Sequence, residues 1–312
     1  MNQHFSIKIL FFLILLISNI FFSQNNNIEY LNYVKIEKKI DSLYDINHNE
    51  GIKLVKFYIK KSKKDKNNEA LFYAYRYASK IFSSPQNFQY TDSALITSKI
   101  SNNKNLITDA YLNKGVVLMD ASLYKLALDN ILTANKYSLD LKNPYITNKT
   151  KYFIAQNKIY LGLYEDANEE LLQCISYFRE NVNKSSLGED NEKYYLYSLM
   201  SILDTNTKIG KHSQNKPFLN EAYSYIDNKD LNIYKPYFIS CDGVDDYFLK
   251  NYKSAIKKLS DAIRLYNDQW PHITDIFYIG LSNWKLGKRD VAVRYFEEID
   301  KEYDKSKKLN PE

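Results

Sequence analysis

The chain has 312 residues, 45% of them hydrophobic and 26% charged, with a net charge of +6. That balance excludes a disordered chain. Only 8 Gly and 6 Pro exclude a turn-rich β fold of this length. Two cysteines, Cys174 and Cys241, make no disulfide framework, and each falls on an apolar helical stripe that would bury it as a small hydrophobe. The 29 Tyr accompany many Asn, Lys and Ile, a signature of AT-rich coding that also supplies amphipathic interface side chains.

In chain order, residues 1–23 come first. MNQHFSIK leads into ILFFLILLI (residues 9–17), then Ser18, Asn19 and IFFSQ. A membrane-spanning helix needs about 20 apolar residues. This run is shorter and is interrupted, so it is expected to be a signal peptide cut near Ser23, and the chain is expected to be exported to the periplasm. Membrane attachment follows only if the segment stays uncleaved. No Cys lies near the cut, so no lipid anchor is expected there.

From Ile28 the apolar spacing predicts an all-α chain. The expected helices are 28–45, 49–63, 68–83, 88–101, 104–120, 123–138, 144–161, 164–180, 190–209, 215–228, 232–249, 252–266, 270–286 and 289–306. Pro85, Pro144, Pro217, Pro236 and Pro271 fall at junctions or in first turns, where a missing N–H costs nothing. Gly162 and Gly287 fall between helices, where a left-handed residue ends one. The run KFYIKKSKKDK (residues 56–66) sets six Lys against Asp65 and reads as a solvated face, with an acidic partner or anionic lipid as its other use. ENVNKSSLGEDNE (residues 180–192) is the longest polar break and reads as a mobile loop.

One pattern recurs four times. ASLYKLALDNILTA, LGLYEDANEELLQC, LKNYKSAIKKLSDA and LGKRDVAVRYFEEI each place a small residue, Ala127, Ala167, Ala255 or Ala292, after a turn. Four residues on stand Ile131, Leu171, Leu259 and Phe296; three further on stand Ala134, Cys174, Ala262 and Ile299. Twelve residues upstream of each Ala is another small residue, Gly115, Ala155, Gly243 or Gly280. Steps of 4 and 7 make one helical stripe. The upstream small residue is expected to face the Ala across a helical hairpin. The large residue at +4 is expected to fill the gap to the next hairpin. Weaker copies lie around Tyr90 and Ala222.

These copies resemble tetratricopeptide repeats, helix–turn–helix units of about 34 residues. They are divergent: Leu118, Lys158, Asp246 and Asn283 stand where the family carries Tyr, and the usual Trp is absent. The resemblance implies a helical-hairpin solenoid of about seven helix pairs over residues 24–312, stacked as a right-handed superhelix. It implies a protein- or peptide-binding groove lined by the first helix of each hairpin. Carried over position by position, the groove residues are Leu112, Val116 and Met119, then Tyr152, Gln156 and Ile159, then Ser240, Val244 and Tyr247, then Phe277, Leu281 and Trp284. The FSQ ending is similar to signal peptides of Bacteroidetes. With the lengthened repeats and the tail EEIDKEYDKSKKLNPE, it resembles the extracytoplasmic sensor region of AraC-type regulators from those bacteria, so a sensor role is the alternative to a free scaffold.

No catalytic or cofactor chemistry is expected. His4, His48, His212 and His272 share no paired-ligand spacing. TNTKIGKHS (residues 205–213) lacks the first Gly and the final Ser/Thr of a phosphate loop, and CDGVDD (residues 241–246) lacks the alternating acids of a calcium loop. No Ser or Cys nucleophile has a local signature. With an exported chain and few Arg to read bases, direct nucleic-acid binding is not expected.

Overall fold

The computed structural model describes residues 32–44, 46–184, 189–266 and 273–309. The expected signal peptide, His4, Pro271, His272 and part of the 180–192 break lie outside these residues. Fourteen α-helices occupy the described chain, and it contains no strand. They are α1 (Tyr33–Leu43), α2 (His48–Lys64), α3 (Asn68–Ile81), α4 (Gln86–Ser101), α5 (Lys104–Asp120), α6 (Tyr124–Leu141) and α7 (Pro144–Tyr160). Then come α8 (Tyr164–Asn181), α9 (Asn191–Lys208), α10 (Lys216–Lys229), α11 (Lys235–Phe248), α12 (Tyr252–Tyr266), α13 (Ile273–Lys285) and α14 (Arg289–Leu309). Short 3₁₀ turns, His212–Gln214 and Asn232–Tyr234, precede α10 and α11. No described helix is long and apolar enough to cross a membrane.

The Asn-rich composition does local work. Asn32, Asn47, Asn67, Asn103 and Asn143 each cap a helix, their side chains accepting from the N–H groups of the first turn. Each such cap contributes about 1 kcal/mol. Pro144, Pro217 and Pro236 sit in first turns. Gly162 and Gly287 have φ of 75° and 79°, the left-handed geometry expected of helix ends.

The helices form two compact units, Met1–Ala121 and Ser122–Glu312. In the first, Ile36, Ile40, Val55, Tyr58, Ala74 and Ala78 make one core and Phe72, Ala94, Leu106 and Ala110 another. In the second, one large core gathers Ala155, Ala167, Leu171, Cys174 and Phe178 with Tyr194, Leu199, Ala222 and Phe238. Val244, Ala255, Leu259 and Ile279 form a further core in the same unit. Ala127, Ala134, Ala255, Ala262 and Ala292 are likewise fully buried.

One expectation about these repeats is corrected. A Cβ on Gly243 would lie 2.7 Å from Leu259 Cγ, and one on Gly280 would lie 2.6 Å from Phe296 Cε1. At these two positions the upstream glycine receives the +4 residue of its own hairpin where the Ala was expected, while Leu259 also shares a core with Ile279 of the next hairpin, and Leu171 with Tyr194 and Leu199, as the spacing predicts. The large side chain needs the missing Cβ, so glycine is dictated by its partner's bulk.

Candidate functional site

Within Ser122–Glu312, α7 touches α9, α9 touches α11, and α11 touches α13, besides the sequential neighbours. The even-numbered helices show no comparable contacts among themselves. Helices crowded on one side and spread on the other make that stack curve, with the odd-numbered helices on its inner face.

The sequence-expected groove residues fall unevenly on these helices. Tyr152 and Val244 are buried and fill cores. Gln156, Ile159, Ser240, Tyr247 and Leu281 are partly exposed. Phe277 and Trp284 are 42% and 46% exposed, and the Arg289 guanidinium sits 5.3 Å from the Trp284 ring. In the other unit, Leu112 is buried, while Val116 and Met119 are partly exposed. Gln156 Nε2 donates to Ser201 Oγ at 2.6 Å, and the Tyr152 ring lies 6.4 Å from that of Tyr197. Tyr247 meets Tyr278 at 5.1 Å.

Sequence reasoning missed the centre of this face. Tyr197, Ser201 and Asp204 recur at steps of 4 and 3 along α9, and Tyr237 and Cys241 at a step of 4 along α11. Asp204 is exposed to solvent, yet its carboxyl is raised, first by desolvation, with the Tyr237 hydroxyl and Lys208 pulling the other way. Asp204 is thus crowded by its neighbours while still reaching solvent. Tyr237 donates to the Met200 carbonyl at 3.3 Å, and its phenol is raised well above 10 by burial and then by Cys241 and Asp204. The partly exposed Cys241 thiol is also pushed well up, by burial first and then by the carboxylates of Asp204, Asp245 and Asp275. Asp275 accepts from Ser240 Oγ.

This chemistry suits binding. A thiol held protonated is a poor nucleophile. Phenols and carboxylates on one solvent-facing patch favour donors and positive charge on a partner. Cys174, fully buried and pushed up to about 12 by burial, is a core residue.

A polar chain braces these helices. Thr205 donates to Asn168, Asn168 Nδ2 to Asn206 Oδ1 at 2.9 Å, and Asn206 Nδ2 to Asn215 Oδ1 at 3.0 Å. Asn215 Nδ2 then donates to Asp245 Oδ1 at 3.1 Å, which also meets His212 Nδ1 at 3.0 Å. The His212 ring stacks on Phe248 at 3.9 Å. Thus TNTKIGKHS supplies a brace between helices. The carboxylates of CDGVDD have separate partners as well: Lys258 Nζ reaches Asp242 at 3.0 Å and Asp246 at 2.6 Å. Among the described residues, no three His, Cys, Asp or Glu side chains are grouped to hold a metal.

The Asp204 shift has a testable sign. Its folded pKa is above its unfolded value, so the folded state binds the extra proton and this group's contribution falls as pH rises through the folded pKa. Asp204→Asn removes that penalty. The variant is expected to melt higher than the parent at pH 7, and the two are expected to converge below the ordinary carboxylate pKa of about 4. Thermal melts from pH 3 to 8 check this; a gap that widens toward acid pH contradicts it.

No family model matches the chain, and no curated protein matches it by sequence. Solved structures do match. A Rap protein complexed with competence and sporulation factor aligns at a TM-score of 0.60 with 13% identity, covering 94% of this chain and 81% of that one. The apo form of the quorum sensor NprR from B. thuringiensis aligns at 0.58 with 15% identity, covering 85% and 74%. Aspartyl phosphate phosphatase F from Bacillus subtilis aligns at 0.57 with 16% identity, covering 87% and 69%. At these identities the likeness is one of fold, and the chain has the tetratricopeptide-like, all-helical repeat fold of these proteins.

Proposed function

We propose that the chain is an exported, non-catalytic scaffold that holds a protein or peptide partner along α7, α9 and α11. The observation that carries this reading is the cluster of Asp204, Tyr237 and Cys241 on α9 and α11. Polar and aromatic side chains there meet solvent on the inner face of a curved stack, and rings of this kind make strong interface anchors. A solved neighbour complexed with competence and sporulation factor supports it. Selection of binders from a random displayed-peptide library tests it. Selected peptides are expected to lose at least tenfold in affinity with Tyr237→Ala, the usual scale for an aromatic anchor. Binders that ignore Tyr237→Ala would place the partner elsewhere and sink the proposal.

A second reading, the input region of a signalling system, draws on the neighbour described as a quorum sensor. Its test is genetic: the coding sequence beyond codon 312 should run into an apolar span of about 20 residues and a basic helical region. A stop codon followed by an unrelated gene contradicts it.

A further inference from the structure

The unit Met1–Ala121 carries a surface that the binding reading does not use. On α2, Lys56, Lys60 and Lys63 recur at steps of 4 and 3, so they form one stripe, and all three are exposed. No carboxylate pairs with any of them among the described residues; the nearby ion pairs are Lys53 with Glu50 and Lys61 with Asp65. Beside the stripe runs a ridge of three partly exposed rings. Phe82 lies 5.1 Å from Tyr90, and Tyr90 lies 6.1 Å from Tyr75. The stripe and the ridge are joined at both ends. Lys56 Nζ sits 5.8 Å from the Phe82 ring centre, and Lys63 Nζ sits 5.8 Å from that of Tyr75. Antiparallel packing of α2 on α3 produces this match, since 56 pairs with 82 as 63 pairs with 75.

We infer that this lysine stripe and its aromatic ridge form a docking face for an anionic lipid bilayer. The Lys56 and Lys63 ammoniums are held over ring faces while the lysines stay exposed, so charge and apolar surface lie side by side. Tyrosine and phenylalanine are at home where apolar and wet layers meet. Clustered lysines are drawn to anionic headgroups. One observation chooses a lipid surface over a nucleic acid. Ammoniums sit over the rings at both ends of the ridge, whereas single-stranded nucleic acid binds by stacking bases on open faces.

Flotation of the full chain with vesicles tests the inference, comparing equal parts phosphatidylglycerol and phosphatidylcholine with phosphatidylcholine alone. The apolar run is common to every variant, so differences report the face. Replacing Lys56, Lys60 and Lys63 together by Gln is expected to weaken partitioning onto the anionic vesicles on the order of 100-fold. The same charge removed from exposed Lys250, Lys253 and Lys257 should change it less than threefold. Lys60→Glu alone, which breaks no hydrogen bond, ion pair or ring contact among the described residues, should cost about tenfold and keeps the test sharp if the triple variant folds poorly. The inference is overturned if the two triple variants behave alike, if the parent treats both vesicle types equally, or if it captures a single-stranded oligonucleotide through these lysines while ignoring anionic vesicles.

Discussion

Phe178→Ala is expected to destabilise the chain by roughly 3–5 kcal/mol, the usual cost of emptying a large buried aromatic site. Phe178 is fully buried. Its ring stacks on Tyr194 at 5.5 Å and meets Tyr145 edge-on at 6.3 Å and Tyr177 at 5.2 Å. Tyr194 in turn touches Tyr152 at 5.4 Å and Phe153 at 6.2 Å. Removing one ring therefore strips contacts from several others that cannot all close the gap. Tyr160 gives the contrast: it stacks on Tyr124 at 5.0 Å but is 56% exposed, so Tyr160→Ala should cost about 1 kcal/mol or less. Urea unfolding followed by circular dichroism separates the two. Equal costs would mean that the aromatic cluster is not the centre of this unit.

Gly243→Val is expected to cost roughly 3 kcal/mol, the upper end for overpacking. The added Cβ would meet Leu259 at its Cγ branch point, 2.7 Å away, and would stand 3.2 Å from the Leu259 backbone nitrogen. Leu259 is fully buried, packed with Val244, Ala255 and Ile279. Gly51→Ala is the matched control. Its Cβ would meet only the tip of Ile81, Cδ1 at 2.7 Å. A tip can rotate away, and Ala gains up to about 1 kcal/mol of helix propensity over Gly. The same kind of urea curve should show a large loss for Gly243→Val and almost none for Gly51→Ala. If both lose alike, the hairpin does not close on Gly243.

These two variants also show what the sequence made legible. The helices were readable because apolar residues recur with the helical period, and because Asn caps and first-turn prolines mark their starts. The repeat was readable because Gly243 and Ala255, or Gly280 and Ala292, keep one spacing. Which residue fills the space over each glycine was not. A fixed offset of twelve fits a hairpin in either of two ways, and only the lateral shift of α12 on α11 brings Leu259 over Gly243.

The candidate site was harder to read for a different reason. Asp204, Cys241 and Asp275 lie on three helices and meet only when α9, α11 and α13 stack. The α9 segment YYLYSLM carries no Gly or Ala to mark the repeat, so its inner stripe has no reference position. Nothing local to His212 reveals Asp245, on α11 and 33 residues away, as its partner. Conversely, Tyr152 and Val244 were read as groove residues because family positions ignore side-chain size. The large Tyr152 ring is drawn into the aromatic core instead.

The central claim is that a partner sits on the inner helices of Ser122–Glu312. Hydrogen–deuterium exchange of the full chain with and without a selected peptide tests it most directly. The account predicts slowed exchange concentrated on α9 around Ser201–Asp204 and on α11 around Tyr237–Cys241, with α8, α10 and α12 unchanged. Protection confined to α8, α10 and α12 would put the partner on the opposite face and contradict the account.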